Sequence, residues 1–311
     1  MSVSPPADKQ QVRSASAAPE WLLAALTTTP ATAQVTVEDA VVQYRSWGDP
    51  ADQSVVLVHG GLAHASWWDH IAPLLSGHHV VAVDLSGHGD STHRPSYDVE
   101  QWARELIAVI DHANLSSPVI IGHSMGGLPA VAAAIQLDGR ASGVMTIDVR
   151  FNDEAWPVRV RESRRYDSID AAAADFSPVH TRSELPIDPH LLRHLAETSL
   201  IHDSGAWRWK RADRYDIRRT PLRTLLPQLR TPIVLIRSDH GLLTAEAAAE
   251  MLELTPAPGI DVVVPASSHN PMLEQPIAFV GVIRALLATW RPWDGTGLRQ
   301  GPDSPLSSAT K

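Results

Sequence analysis

The stretch PVIIGHSMGG, Pro118 to Gly127, sets Ser124 between Gly122 and Gly126. The residues before it are apolar, and LPAVAAAIQL at 128–137 has helical spacing. A G-x-S-x-G sequence between a strand and a helix is a sharp turn that lifts the serine hydroxyl above the sheet edge in a strained backbone conformation, and small flanking residues avoid clashes there. The other reading of such a serine is a helix cap. A serine hydroxyl attacks only when a base takes its proton and an acid orients the base. His269, in IDVVVPASSHNPMLEQP, follows the last apolar run and precedes the last helical segment, which places it at the same sheet edge as Ser124. The chain has 15 histidines, so position singles out His269, not residue type. Charge developing on a substrate oxygen needs backbone donors. The Met125 amide opens the helix after Ser124, and His59-Gly60-Gly61-Leu62 follows another apolar run, with Gly61 the first choice of second donor and Leu62 the next.

These residues need a scaffold. VTVEDAVVQYRSW (35–47) reads as a hairpin-like pair of strands. SVVLVHG (54–60), HHVVAVDLSG (78–87), PVIIGHS (118–124), GVMTIDV (143–149), TPIVLIRS (231–238) and IDVVVPA (260–266) read as short strands. Helical spacing recurs at 99–113, with Trp102, Leu106, Ile107 and Ile110 on one side, and at 128–137, 244–254 and 276–290. Short Val/Ile-rich strands alternating with helices predict an α/β fold whose parallel sheet is buried on both faces. The interval 150–230 breaks this rhythm and predicts an insertion, helical in DPHLLRHLAETSL, that caps one end of the sheet. The carboxyl edge of such a sheet is where ligands bind. The expected division is an N-terminal extension (1–34), a first core part (35–149), a helical cap (150–230), a second core part (231–291) and a tail (292–311). Residues 1–18 and the tail read as disordered, and a short helix is expected from Glu20.

Composition narrows the function classes. The 311 residues are 44% hydrophobic and 20% charged, as in ordinary globular proteins. The absence of cysteine excludes disulfides and thiolate metal sites and fits a cytoplasmic enzyme. The N-terminus carries no apolar signal core, and no run is long enough to span a membrane. A formal net charge of −9 argues against a nucleic-acid partner. Between Arg150 and Arg223 the balance reverses, with 14 Lys+Arg against 12 Asp+Glu, which reads as a solvated helical surface or as a bias toward an anionic substrate.

HGG at 59–61, DLSGHGDS at 84–91, GHSMGG at 122–127 and SSHNPMLEQP at 267–276 together resemble the α/β-hydrolase fold family, over roughly residues 36 to 290. The resemblance implies an eight-stranded, mostly parallel sheet with a cap after the sixth strand, a Ser–His mechanism and no cofactor. The branches with an aspartate nucleophile disagree with Ser124. In this family the acid usually follows the seventh strand in a G-x-x-D pattern. Here that strand ends IRSDHGLLT, with Ser238 in place of the glycine, Gly241 where the acid is expected, and Asp239 two residues early. Some members place the acid at the end of the sixth strand, where Asp148 stands. Asp148 is the first choice of triad acid and Asp239 the alternative. The order Ser…Asp…His holds for both, and either could instead cap backbone amides.

Other features carry less. His190 and His194 are four apart on a helix, but no carboxylate nearby completes an obvious site, so no metal is expected. His88 and Asp90 in SGHGDS read as a structural loop, and His123 as a packing residue. Trp67, Trp68, Trp156, Trp207 and Trp209 are ordinary packing singly and could wall an apolar acyl pocket together. The expected function is hydrolysis of an ester, lactone or thioester of a small to medium, largely apolar substrate through an acyl-enzyme. The alternatives are C–C bond hydrolysis of a diketone, favoured by a basic wall from Arg150 or Arg159, cofactor-free oxygenation or perhydrolysis, and a non-catalytic ligand-binding protein. The expected partner is a small-molecule substrate, with a homo-oligomer left open.

Overall fold

The computed structural model describes residues 17–151, 164–178, 187–211, 217–218 and 220–290. Eight strands form one sheet: β1 (Ala31–Val37), β2 (Ala40–Trp47), β3 (Gln53–Val58), β4 (His78–Val83), β5 (Val119–His123), β6 (Gly143–Ile147), β7 (Ile233–Ser238) and β8 (Gly259–Val264). Their order across the sheet is β1-β2-β4-β3-β5-β6-β7-β8. β2 runs antiparallel to β1 and β4, and every other pairing is parallel. The expected hairpin is present, and its first strand begins at Ala31.

Side chains alternate between the faces with the strand period of two. Val56, Val58, Ile120 and Val144 join one apolar cluster, and Val55, Leu57, Val119, Ile121, Met145 and Ile147 join the other. Helices α2 (Val99–His112) and α3 (Gly127–Gln136) cover the first face. Trp102, Leu106, Val109 and Ile110 of α2 are buried there, whereas Ile107 is only partly so. The second face is covered by α1 (Glu20–Thr27) through Leu22, and by the last helix through Phe279, Ile283 and Leu287. The sheet is thus buried on both sides, and its backbone groups meet one another in the ladder instead of water.

The order of connections decides where chemistry can sit. From β3 the chain moves to β4 on one side, then returns to β5 on the other. This reversal opens a crevice beyond the carboxyl ends of β3 and β5. The two strands end in register, with Val58 opposite Gly122. The loop after β3 and the turn after β5 are therefore neighbours.

Between β6 and β7 the described residues form α4 (Ile169–Asp175), α5 (Pro189–Thr198) and an antiparallel hairpin, Leu200–Asp203 with Ala206–Trp209. Ser204 and Gly205 both have positive φ, the backbone a two-residue hairpin turn requires. This insertion is tied to the core loops. His64 Nε2 lies 2.7 Å from Ser199 Oγ, and His194 Nε2 lies 3.0 Å from Asp69 Oδ2. His88 and Arg211 form an isolated β-bridge. Helix α6 (Ala245–Leu254) follows β7, and α7 (Pro276–Thr289) follows β8 and supplies Phe279 to the second face.

The loop after β4 hangs on a buried ion pair. Glu105 of α2 accepts from the Ser86 amide at 2.9 Å and from Arg94 Nε at 3.2 Å. Arg94 also donates to the Val37 carbonyl at 2.8 Å. Arg94 also pairs with Glu38 and Asp39, so removing Glu105 leaves the buried Ser86 amide without its acceptor but does not strand the guanidinium. Glu105→Ala should therefore lower the unfolding free energy by about 1–3 kcal/mol in urea titration. Arg104→Ala, which breaks an exposed pair with Glu38, should cost under about 1 kcal/mol in the same assay.

Candidate active site

Ser124 sits at the turn from β5 into α3 with a φ of +49°. A non-glycine residue there is rare and costs strain, and such strain gathers at functional sites. The flanking glycines are needed for close backbone approach. A Cβ on Gly122 would lie 2.4 Å from the Gly126 carbonyl oxygen, and one on Gly126 would lie 2.3 Å from that of His59.

His269 stands after β8 and reaches back to Ser124. The Ser124 hydroxyl donates to His269 Nε2 across 2.9 Å, and His269 Nδ1 donates to Asp148 Oδ2 across 2.7 Å. Asp148 follows β6 with a φ of +45°, and its amide donates to the Ile236 carbonyl of β7. Its carboxylate also accepts the Leu242 amide at 2.9 Å and the Leu243 amide at 3.0 Å. Burial pushes the Asp148 carboxyl up. The hydrogen bonds from His269 and the two amides more than offset this and hold it below the usual carboxylate range. The group is therefore ionised at neutral pH and fixes His269 with its proton on Nδ1.

Gly241, where the resemblance leads one to expect an acid, has a different use. A Cβ there would lie 2.2 Å from Asp148 Oδ1. The missing side chain leaves the volume that the Asp148 carboxylate fills. Asp239, the alternative acid, does not meet the imidazole of His269. Its oxygens accept the Ala266 amide at 2.8 Å and the Ser267 amide at 3.0 Å. It fastens the loop that carries His269, the amide-capping use weighed for it from sequence.

Gly61 and Leu62 lie beside the turn that carries Ser124. A Cβ on Gly61 would be 3.7 Å from Met125 Sδ. Leu62 has a φ of +66°. Met125 is the second residue of the helical turn Ser124–Gly126, so its N–H has no acceptor within the helix. His123 does more than pack. Its Nε2–H donates to the His269 carbonyl at 2.8 Å, and the two rings lie 4.8 Å apart. His59 Nδ1–H donates to the Gly60 carbonyl at 2.8 Å, and its Nε2 accepts the Leu85 amide at 3.1 Å. The loop after β4 is structural: Asp84 accepts the Ala65 amide at 2.6 Å and the Asp90 amide at 2.9 Å, and His88 is buried against His59 and Trp102.

A cavity of about 290 Å³ opens on the Gly61–Leu62 loop. Trp67 and Trp209 line it. Trp68 does not: it is buried in the core, stacked on Phe279. Trp207 packs on His202 and pairs its backbone with Tyr166. Trp156 and Arg159 fall outside the described residues, and Arg150 stands half-buried just before the insertion. Phe176 and Tyr166 also line the cavity. They lie in irregular sequence with no period or motif to mark them. His190 and His194 face different carboxylates, Asp188 and Asp69. Among the described residues no three His, Asp or Glu side chains are grouped to hold a metal ion, and no helix is long and apolar enough to cross a membrane.

A sheet of this order, a G-x-S-x-G turn after β5 and a histidine after β8 define a class of hydrolase fold. Residues 55–282 match the model of the alpha/beta hydrolase family, and the chain belongs to that family. It is 27% identical over 270 residues to the esterase Rv0045c of Mycobacterium tuberculosis, covering 81% of this chain and 88% of that one. It is 37% identical over 164 residues to methylesterase 9 of Arabidopsis thaliana, covering 48% of this chain and 62% of that one. Among solved structures, E-2-(acetamidomethylene)succinate hydrolase superposes with a TM-score of 0.72 at 20% identity, over 83% of this chain and 99% of that one.

Five histidines around these loops are buried: His59, His64, His70, His88 and His123. Burial lowers the pKa of each from 6.5, to about 4 for His59 and His70 and about 3 for His123. Between pH 6.5 and about 4 the unfolded chain binds protons that the folded chain refuses, so stability falls as pH drops through that window. Asp84, raised by burial to about 6, and Glu105, also raised by burial, act in the opposite sense, and five outweigh two. The urea midpoint should fall from pH 7 to pH 5, and His123→Gln should reduce that slope. A midpoint independent of pH would contradict the neutral buried rings.

Proposed function

We propose that the chain is a serine hydrolase acting on a carboxylic ester, lactone or thioester through an acyl-enzyme. The observation that carries this reading is the unbroken chain of hydrogen bonds from Ser124 Oγ through His269 to Asp148. In this reading Ser124 Oγ attacks the carbonyl carbon while His269 Nε2 takes its proton. Asp148 holds the imidazolium. The Met125 and Gly61 amides receive the oxyanion, with Leu62 beside them. The tetrahedral adduct expels the leaving group, which takes the proton from His269, and the acyl group stays on Ser124. Water then gives a proton to His269 and attacks the ester. The acid departs and Ser124 recovers its hydrogen.

The insertion between β6 and β7 acts as a cap. Its Tyr166, Phe176 and Trp209 face Trp67 of the core loop across the cavity. These aromatic walls suit an apolar or aromatic acyl group and limit water at the ester. Relatives named as an esterase and a methylesterase support the ester reading. A thioesterase domain from the curacin biosynthetic pathway shares the fold, which keeps thioesters among the candidates.

The test is hydrolysis of p-nitrophenyl butyrate together with labelling by a fluorophosphonate. Ser124→Ala should abolish both. Asp148→Asn should cost roughly 10⁴ in kcat, as replacement of an orienting acid does elsewhere, and Asp239→Asn should cost far less. A larger loss in Asp239→Asn than in Asp148→Asn would overturn the assignment of the acid. Unlabelled wild-type protein without turnover would overturn the nucleophile.

A further inference from the structure

The cavity on the Gly61–Leu62 loop is not uniformly apolar. Arg164, Lys210 and Arg211 line it, against one carboxylate, Asp175. Two of the three cations are already matched. Arg164 Nη1 lies 2.9 Å from Asp175 Oδ1, and Lys210 Nζ lies 2.8 Å from Asp90 Oδ1. Asp175 also accepts the Tyr166 hydroxyl at 2.6 Å, so it is held toward its own cation.

Arg211 is different. Its backbone is fixed, with the amide donating to the Trp209 carbonyl at 2.9 Å and the strand bridged to His88. Its Nε is buried and has no hydrogen-bond partner among the described residues. A buried N–H of a charged group without an acceptor costs free energy, and native proteins keep few of them. At a cavity wall the partner is an ordered water or a ligand. A guanidinium presents a planar fork of donors that matches a carboxylate. One cation unmatched among the described residues fits one negative charge, which favours a carboxylate over a phosphate dianion.

We propose that Arg211 is the anion-binding residue of a substrate subsite, and that the substrate is an ester or thioester whose acyl chain carries a carboxylate at its far end. This rests on the serine-hydrolase reading for the reaction, and on the cavity alone for binding. The reactive carbonyl lies at the Gly61–Leu62 end. The chain between crosses Trp67 and Trp209, and the terminal carboxylate meets the Arg211 fork. The cavity, about 290 Å³, suits a short chain with its two polar ends.

The test compares two esters of equal chain length, 4-nitrophenyl hexanoate and mono-4-nitrophenyl adipate. They differ only in a terminal methyl or carboxylate. Wild-type protein should favour the adipate at least tenfold in kcat/KM, and the preference should shrink as salt rises. Arg211→Gln should erase the preference, and Arg211→Lys should keep part of it. Binding is measured separately by calorimetry on Ser124→Ala, with adipic acid monoanilide and hexananilide as unreactive probes. The monoanilide should bind at least tenfold tighter. Indifference to the carboxylate in both assays overturns the subsite without any change at Arg211, and a preference that survives Arg211→Gln overturns the choice of residue. Selective monoanilide binding without turnover of either ester would leave the subsite standing and remove the serine-hydrolase reading.

Discussion

Two stretches of backbone touch where β3 and β5 end, and the site depends on that contact. Gly126 presses so closely on the His59 carbonyl that no side chain fits between them. The contact follows from sheet order. β3 and β5 are adjacent and end in register, so the chain leaving one must pass the chain leaving the other. It brings the Gly61–Leu62 loop next to Met125 and turns Ser124 outward. Glycine at 122 and 126 is the chemical condition for it. The G-x-S-x-G pattern is therefore first a packing requirement, and the exposed hydroxyl is its consequence.

Around this contact the polar groups are spent on holding loops. His123 grips the carbonyl of His269, Asp239 grips the amides just before it, and Asp84 joins the loops after β3 and β4. Ser124, Leu62, Asp148 and Ala266 all have positive φ. A chain adopts such angles only where its surroundings over-determine them. Three of the four stand in or beside the hydrogen-bonded line from Ser124 to Asp148, so much of the local strain lies where geometry matters most.

Much of this is legible in the sequence, for physical reasons. Short Val/Ile runs bounded by glycine mark the buried strands, because a strand covered on both faces has no polar side to show. Ser124 and His269 are legible because each sits at a strand end with a helix following. Asp148 is legible as a charge closing an apolar run, which makes it the first choice to face His269, but its separation from Asp239 is not, since that depends on where the loop after β7 lies. The hairpin after α5 is absent from the sequence expectation, although Ser204-Gly205 between two runs containing Ile and Trp is a turn signal. Both runs are only four residues long, and the helical spacing just upstream is the stronger pattern. Trp68 and Trp207 are pocket candidates on residue type alone. Aromatic rings serve core and pocket equally well, and only the fold decides which way each one points.

Gly241 has a consequence for how such a site changes over generations. Two positions in this fold can supply the acid, one after the sixth strand and one after the seventh. Here the first holds the carboxylate, and the second is reduced to a hydrogen because the carboxylate occupies its space. The two positions share one volume, so they exclude each other. A lineage cannot add the second acid before discarding the first without crowding, nor discard the first beforehand without losing the orientation of His269. The place of the carboxylate beside His269 is thus fixed by volume in this chain, since a side chain at 241 and the Asp148 carboxylate cannot both be accommodated.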